Sequence, residues 1–163
     1  MGSRKKKRPE IEPEDAIRHK ALQLLDFRPR TKKELSDKLL SKGFSPSLVE
    51  SLIERFEEIG LLDDRSFAID RARAVLLNKG WGPRKLRADL SRKGIGEESI
   101  HESIQLAYSD ITQEELIRRQ VIKRYGSCVL EVGSTCPDRQ KAFRFLLGRG
   151  FEPEKVKSVL GYY

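Results

Sequence analysis

The feature that most constrains this chain is that it repeats itself. LSDKLLSKGFSPSLVESLI, from Leu35, aligns with LRADLSRKGIGEESIHESI, from Leu86, and AFRFLLGRGFEPEKVKSVL, from Ala142, follows the same plan. Five positions correspond across the three stretches. They are Leu39, Leu90 and Leu146; Gly43, Gly94 and Gly150; Phe44, Ile95 and Phe151; Val49, Ile100 and Val156; and Ile53, Ile104 and Leu160. The spacings are 51 and 56 residues, the scale of a helical repeat. Each match reads as a helix, a tight turn through glycine with an apolar plug behind it, and a second helix.

A further amphipathic helix is expected before each pair, over residues 14–27, 64–79 and 112–125. In the second of these, Ala68, Ala72, Val75 and Leu76 form an i, i+4, i+7, i+8 stripe. Local signals agree. Thr31 with Glu34 and Thr112 with Glu115 have capping-box spacing. Pro46 and Pro83 stand where a helix begins, and a missing amide proton costs nothing there. Lys42-Gly43 and Lys93-Gly94 read as helix ends, with a cation near the carboxyl dipole and glycine at the left-handed position. No segment alternates as a strand does. The expected fold is all-α: three tandem three-helix repeats over residues 14–62, 63–110 and 111–163, after a basic tail over 1–13. One such unit has too small a core to stand alone, so the repeats are expected to stack into an elongated, curved array.

Composition narrows the function classes. With 37% hydrophobic and 36% charged residues, the chain is rich in charge for narrow apolar stripes. No apolar run approaches the ~20 residues of a membrane span. No secretory signal stands out, and the two cysteines fit a reducing compartment, so a cytoplasmic monomer is expected. Catalytic constellations are missing. His19 and His101 lie in helical patterns without a partner at ligand spacing, and Cys128 and Cys136 make at most half a metal site. Packing or incidental thiols is the plainer role for that pair. Asp63-Asp64 stands just before a helix, where an N-cap and dipole role accounts for it. No cofactor is implied.

Charge is unevenly placed within the net +8. Arg4, Lys5, Lys6, Lys7 and Arg8 sit in the tail, which is expected to be disordered and to touch phosphates nonspecifically. From Glu50 to Asp64 there are six acids and one base; from Arg71 to Lys93 there are eight bases and one acid, Asp89. On a helix from Pro83, Leu86 and Leu90 face a core while the cations fan over the remaining arc. A solvated face is the rival reading, yet the run lacks the interleaved glutamates that balance such faces. Arg71, Arg73, Lys79, Arg84, Lys85, Arg87, Arg92 and Lys93 are therefore the candidate surface for a polyanion. Trp81 is either a plug between repeats or an interface anchor.

From Leu61 to Ile95 the sequence LLDDRSFAIDRARAVLLNKGWGPRKLRADLSRKGI resembles the RecX family of bacterial RecA regulators. The features that carry the resemblance are Asp63-Asp64, Phe67-Ala68, Arg71 and Arg73, Gly80-Trp81-Gly82-Pro83, Arg84 and Arg87, and Gly94-Ile95. ALQLLDFRPRTKKELSDKLLSKGF, from Ala21, looks like the family's amino-terminal portion, and LLGRGFEPEKVKSVL, from Leu146, like its carboxyl end. Tyr125 to Cys136 reads as longer and less helical than the family's inter-unit segments. The resemblance implies an all-helical protein that is not an enzyme. Such a protein binds RecA filaments on single-stranded DNA along their groove and inhibits ATPase, strand-exchange and coprotease activities, modulating repair, recombination and the SOS response. A direct nucleic-acid-binding module using the Arg71–Lys93 surface is the alternative, and an adaptor for another protein is a third reading.

Overall fold

The structure, a computed structural model, describes residues 13–131 and 136–162. The basic tail from Arg4 to Arg8 lies outside them. The fold is all-α. The helices are α1 (Pro13–Phe27), α2 (Lys32–Leu40), α3 (Pro46–Glu58), α4 (Asp64–Lys79), α5 (Pro83–Arg92), α6 (Glu97–Ala107), α7 (Gln113–Tyr125), α8 (Arg139–Arg149) and α9 (Pro153–Leu160), with a short 3-10 turn at Ser127–Leu130. The three leading helices expected from periodicity are α1, α4 and α7.

The repeated glycine turn is the same device three times. Gly43, Gly94 and Gly150 have φ of 90°, 82° and 88°, a region that costs an L side chain dearly. In each turn the following apolar residue donates its N–H five residues back: Phe44 to Leu39, Ile95 to Leu90 and Phe151 to Leu146, at 3.2–3.4 Å. This is the Schellman pattern, which satisfies carbonyls that the helix end leaves open. Leu39, Leu90 and Leu146 are buried behind it. At the other helix ends, the Thr31 hydroxyl accepts from the Glu34 N–H at 3.1 Å, while the Glu34 carboxylate is held by Arg28 at 3.0 Å. Thr112 and Glu115 complete a reciprocal capping box.

The chain divides at Asp63/Asp64 into two compact units. In the first, α1–α3 enclose Ile17, Ala21, Leu35, Leu39, Val49, Phe56 and Leu62. In the second, one cluster runs from Ala72, Val75 and Leu76 of α4 and Leu86 of α5 through α7, α8 and α9. The second and third repeats therefore share a core. A smaller cluster, Ala68, Leu90, Ile95 and Ile100, holds α4–α6 together.

The shared core is closed by a backbone joint. The N–H groups of Gly82 and Arg84, at the start of α5, donate to the carbonyls of Arg149 and Gly150, at the end of α8, at 2.8 and 3.0 Å. Orphan donors of one helix thus meet orphan acceptors of another, positive dipole end to negative. The approach is so close that a Cβ on Gly82 would lie 2.4 Å from the Gly150 carbonyl. One on Gly150 would lie 2.4 Å from Lys85 Cβ.

Candidate polyanion interface

The fold divides the eight cations proposed from sequence into three groups. The first belongs to the outer face of α5. Pro83 opens the helix, Leu86 and Leu90 are buried, and Arg84, Arg87 and Arg92 are exposed. Arg84 makes no side-chain ion pair among the described residues. Arg87 pairs with Glu97 on α6. Arg84 and Arg87 flank a depression of about 350 Å³ that is also lined by His101, Gln105 and Glu152. His101, a residue with no role in the sequence reading, sits exposed at this site.

The second group is organised by Asp89, the lone acid of the basic run. Its carboxylate is 10% exposed and accepts from Arg71 Nε at 3.1 Å, with Arg92 at 3.5 Å on its other oxygen. Arg71 is itself half-buried, so it supports the α5 face from behind rather than presenting its charge outward. Arg73, two residues on and so some 200° around the helix, is exposed away from that face. Lys93 lies over the Phe67 ring at 5.7 Å.

The third group, Lys79 and Lys85, belongs to the joint between the second and third repeats. Their ammonium groups lie 5.0 and 4.9 Å from the centre of the Trp81 ring, and Lys85 also donates to the Gly148 carbonyl at 3.1 Å. Trp81 is half-buried against the shared core, and its carbonyl accepts from the Tyr108 hydroxyl at 2.7 Å. Burial pushes the Tyr108 hydroxyl well above the ordinary tyrosine range.

Sequence reasoning did not single out the cations that follow the capping box, Arg118, Arg119, Lys123 and Arg124. Glu115 is held by Thr112, with its carboxyl lowered by that backbone hydrogen bond. Glu114 pairs with Lys155, whose hydrogen bond lowers its carboxyl. The acids are thus occupied at the start of α7, while Lys123 and Arg124 stand in its last turn.

Cys128 and Cys136 form no disulfide, and a hydrogen bond with Cys136, then burial, pushes the Cys128 thiol up. No group of three or more His, Cys, Asp or Glu among the described residues could hold a metal ion. No helix among them is long and apolar enough to cross a membrane.

The chain is similar to known proteins over most of its length. Sequence models of the first and second three-helix domains of RecX match residues 18–56 and 63–104. A protein of Pelodictyon phaeoclathratiforme named regulatory protein RecX is 35% identical over 140 residues, covering 86% of this chain and 84% of its own. The regulatory protein RecX of Halorhodospira halophila is 32% identical over 149 residues, covering 89% and 86%. Among solved structures, RecX from Lactobacillus salivarius superposes with a TM-score of 0.75 over 91% of this chain and 95% of that one, at 24% identity. The same three-helix plan, at this identity and over this length, places the chain in the RecX family.

Proposed function

We propose that this protein regulates a RecA recombinase by binding its filament on single-stranded DNA, in the filament groove, and lowering ATP hydrolysis, strand exchange and coprotease activity. The observation that carries the reading is membership of the RecX family along nearly the whole chain. It acts as a cytoplasmic monomer, by binding rather than by catalysis, and modulates DNA repair and recombination. A helical filament repeats its surface, so contacts from several helical units on one molecule reinforce one another through effective concentration. The outer face of α5, with Arg84, Arg87 and Arg92, is the part that meets polyanionic surface. Its targets there are DNA phosphates and acidic patches of the recombinase.

The test adds the protein to RecA on single-stranded DNA with ATP. Hydrolysis should slow as the protein is titrated in, and R84E/R87E should need at least tenfold more protein for the same effect. An unchanged rate together with no co-sedimentation would refute the proposal. The second reading, a direct nucleic-acid-binding module, is favoured by Arg84, which is exposed on that face and makes no ion pair among the described residues. It expects steeply salt-dependent binding to DNA without RecA, weakened by the same double substitution.

A further inference from the structure

We infer that the cleft between the ends of α4, α7 and α8 is a second binding site, one that takes the phosphodiester backbone of single-stranded nucleic acid. The cleft encloses about 420 Å³ within the second unit. Leu76 and Leu116 contribute its apolar part, and Lys79, Lys123, Arg124 and Arg149 its charge. Among the described residues, no carboxylate lines it. None of these four cations makes an ion pair among the described residues, and the nearby acids of α7 are occupied by Thr112 and Lys155.

Each of the four cations lies in the last turn of its helix, where the dipole favours positive charge. That accounts for a cation at each helix end. It does not account for three helix ends converging on one concave surface with no acid to balance them, an arrangement that self-repulsion opposes. The guanidinium groups are also held in place. Arg124 and Arg149 both lie over the Phe145 ring, 4.8 and 5.0 Å from its centre, and Arg149 donates to the Lys79 carbonyl. Two fixed forks in a partly enclosed cleft are ready-made for bridging phosphate oxygens.

Flat surfaces beside the charge favour a nucleic acid over an acidic peptide. Guanidinium planes backed by an aromatic ring offer faces on which unpaired bases stack, and Leu77, 83% exposed at the rim, adds apolar surface beside them. Concavity favours a single strand, whose flexible backbone can enter; a duplex presents its phosphates on a stiff convex surface. The site is distinct from the α5 face around Arg84 and Arg87, and it does not depend on the RecA proposal, because it is tested with the protein alone.

The experiment titrates the intact protein with a labelled oligothymidylate at several salt concentrations, reading fluorescence anisotropy. Lys123 is exposed and makes no side-chain hydrogen bond or ion pair among the described residues, so K123E should stay folded by circular dichroism. It should bind at least tenfold more weakly, with a salt slope reduced by about one or more. R124K, which keeps the charge and loses the fork, should weaken binding several-fold. Wild-type affinity and slope in K123E would overturn the site. So would a duplex binding as tightly as the single strand, or polyglutamate displacing the oligonucleotide as readily as unlabelled strand does. An oligonucleotide carrying 5-iodouracil supplies a readout free of any substitution. Photocrosslinks should map to α7 and α8, and crosslinks confined to α5 would equally overturn it.

Discussion

Asp89 shows how much of a surface is decided by one side chain that charge counting treats as a blemish. Its carboxylate is almost fully enclosed and holds Arg71 on α4 and Arg92 on α5. Arg71 keeps only a third of its side-chain surface in water, so neutralising Asp89 strands a partly buried guanidinium. D89N should destabilise the second unit by about 1–2 kcal/mol, less than a deeply buried pair because solvent still reaches Arg71. Urea unfolding followed by Trp81 fluorescence measures this, and a change within 0.5 kcal/mol, about what a neutral surface substitution gives, would show that the pair is incidental. The cationic character of this segment is legible in the sequence, since eight bases to one acid survive any arrangement. Which cations face outward is not legible, because that depends on Asp89 and Trp81 drawing Arg71 and Lys85 inward.

At the scale of helices and turns, the sequence is most informative where the signal is local. Proline at the first position of α3 and α5, threonine before α2 and α7, and glycine followed by an apolar plug act within five residues, and each stands where it was expected. Gly82 is the counterexample. Its φ of −75° suits any residue, so no backbone preference demands glycine there. Its cause lies at Gly150, far along the chain, whose carbonyl occupies the space of a Cβ. The two kinds of glycine should respond differently to substitution. G43A places a Cβ in open space and meets only the left-handed backbone cost, about 1–2 kcal/mol in the first unit. G82A drives a Cβ into backbone that cannot rotate away, and should cost the second unit about 3 kcal/mol or more. Equal losses in denaturant unfolding would mean that the joint relaxes readily. The cleft of α7 and α8 was hidden for a related reason. A helix with two acids at its start and four bases after them carries only a modest net charge in a window of sequence, yet separates that charge along its axis.

At the scale of the whole molecule, three copies of one turn do not yield three copies of one core. The second and third repeats merge: Ala72, Val75, Leu76 and Leu86 belong to the same cluster as Val121, Leu146 and Leu160. The first repeat closes on its own seven buried residues, two of which are Ala21 and Val49, small side chains that bury little area. A core of that size sits near the lower limit of independent stability, because so small a unit buries a smaller fraction of its surface. The first unit is therefore expected to unfold at lower denaturant than the second. The chain separates the two readouts, since its single tryptophan, Trp81, lies in the second unit while helices in both contribute to far-ultraviolet circular dichroism. Ellipticity should lose a first portion of its amplitude while Trp81 fluorescence is still at its native value, and the remainder should fall with the fluorescence. G43A should move only the early step and G82A only the late one. Coincident curves for both probes would mean that the molecule unfolds as one cooperative body, with the first unit stabilised by more than its own core.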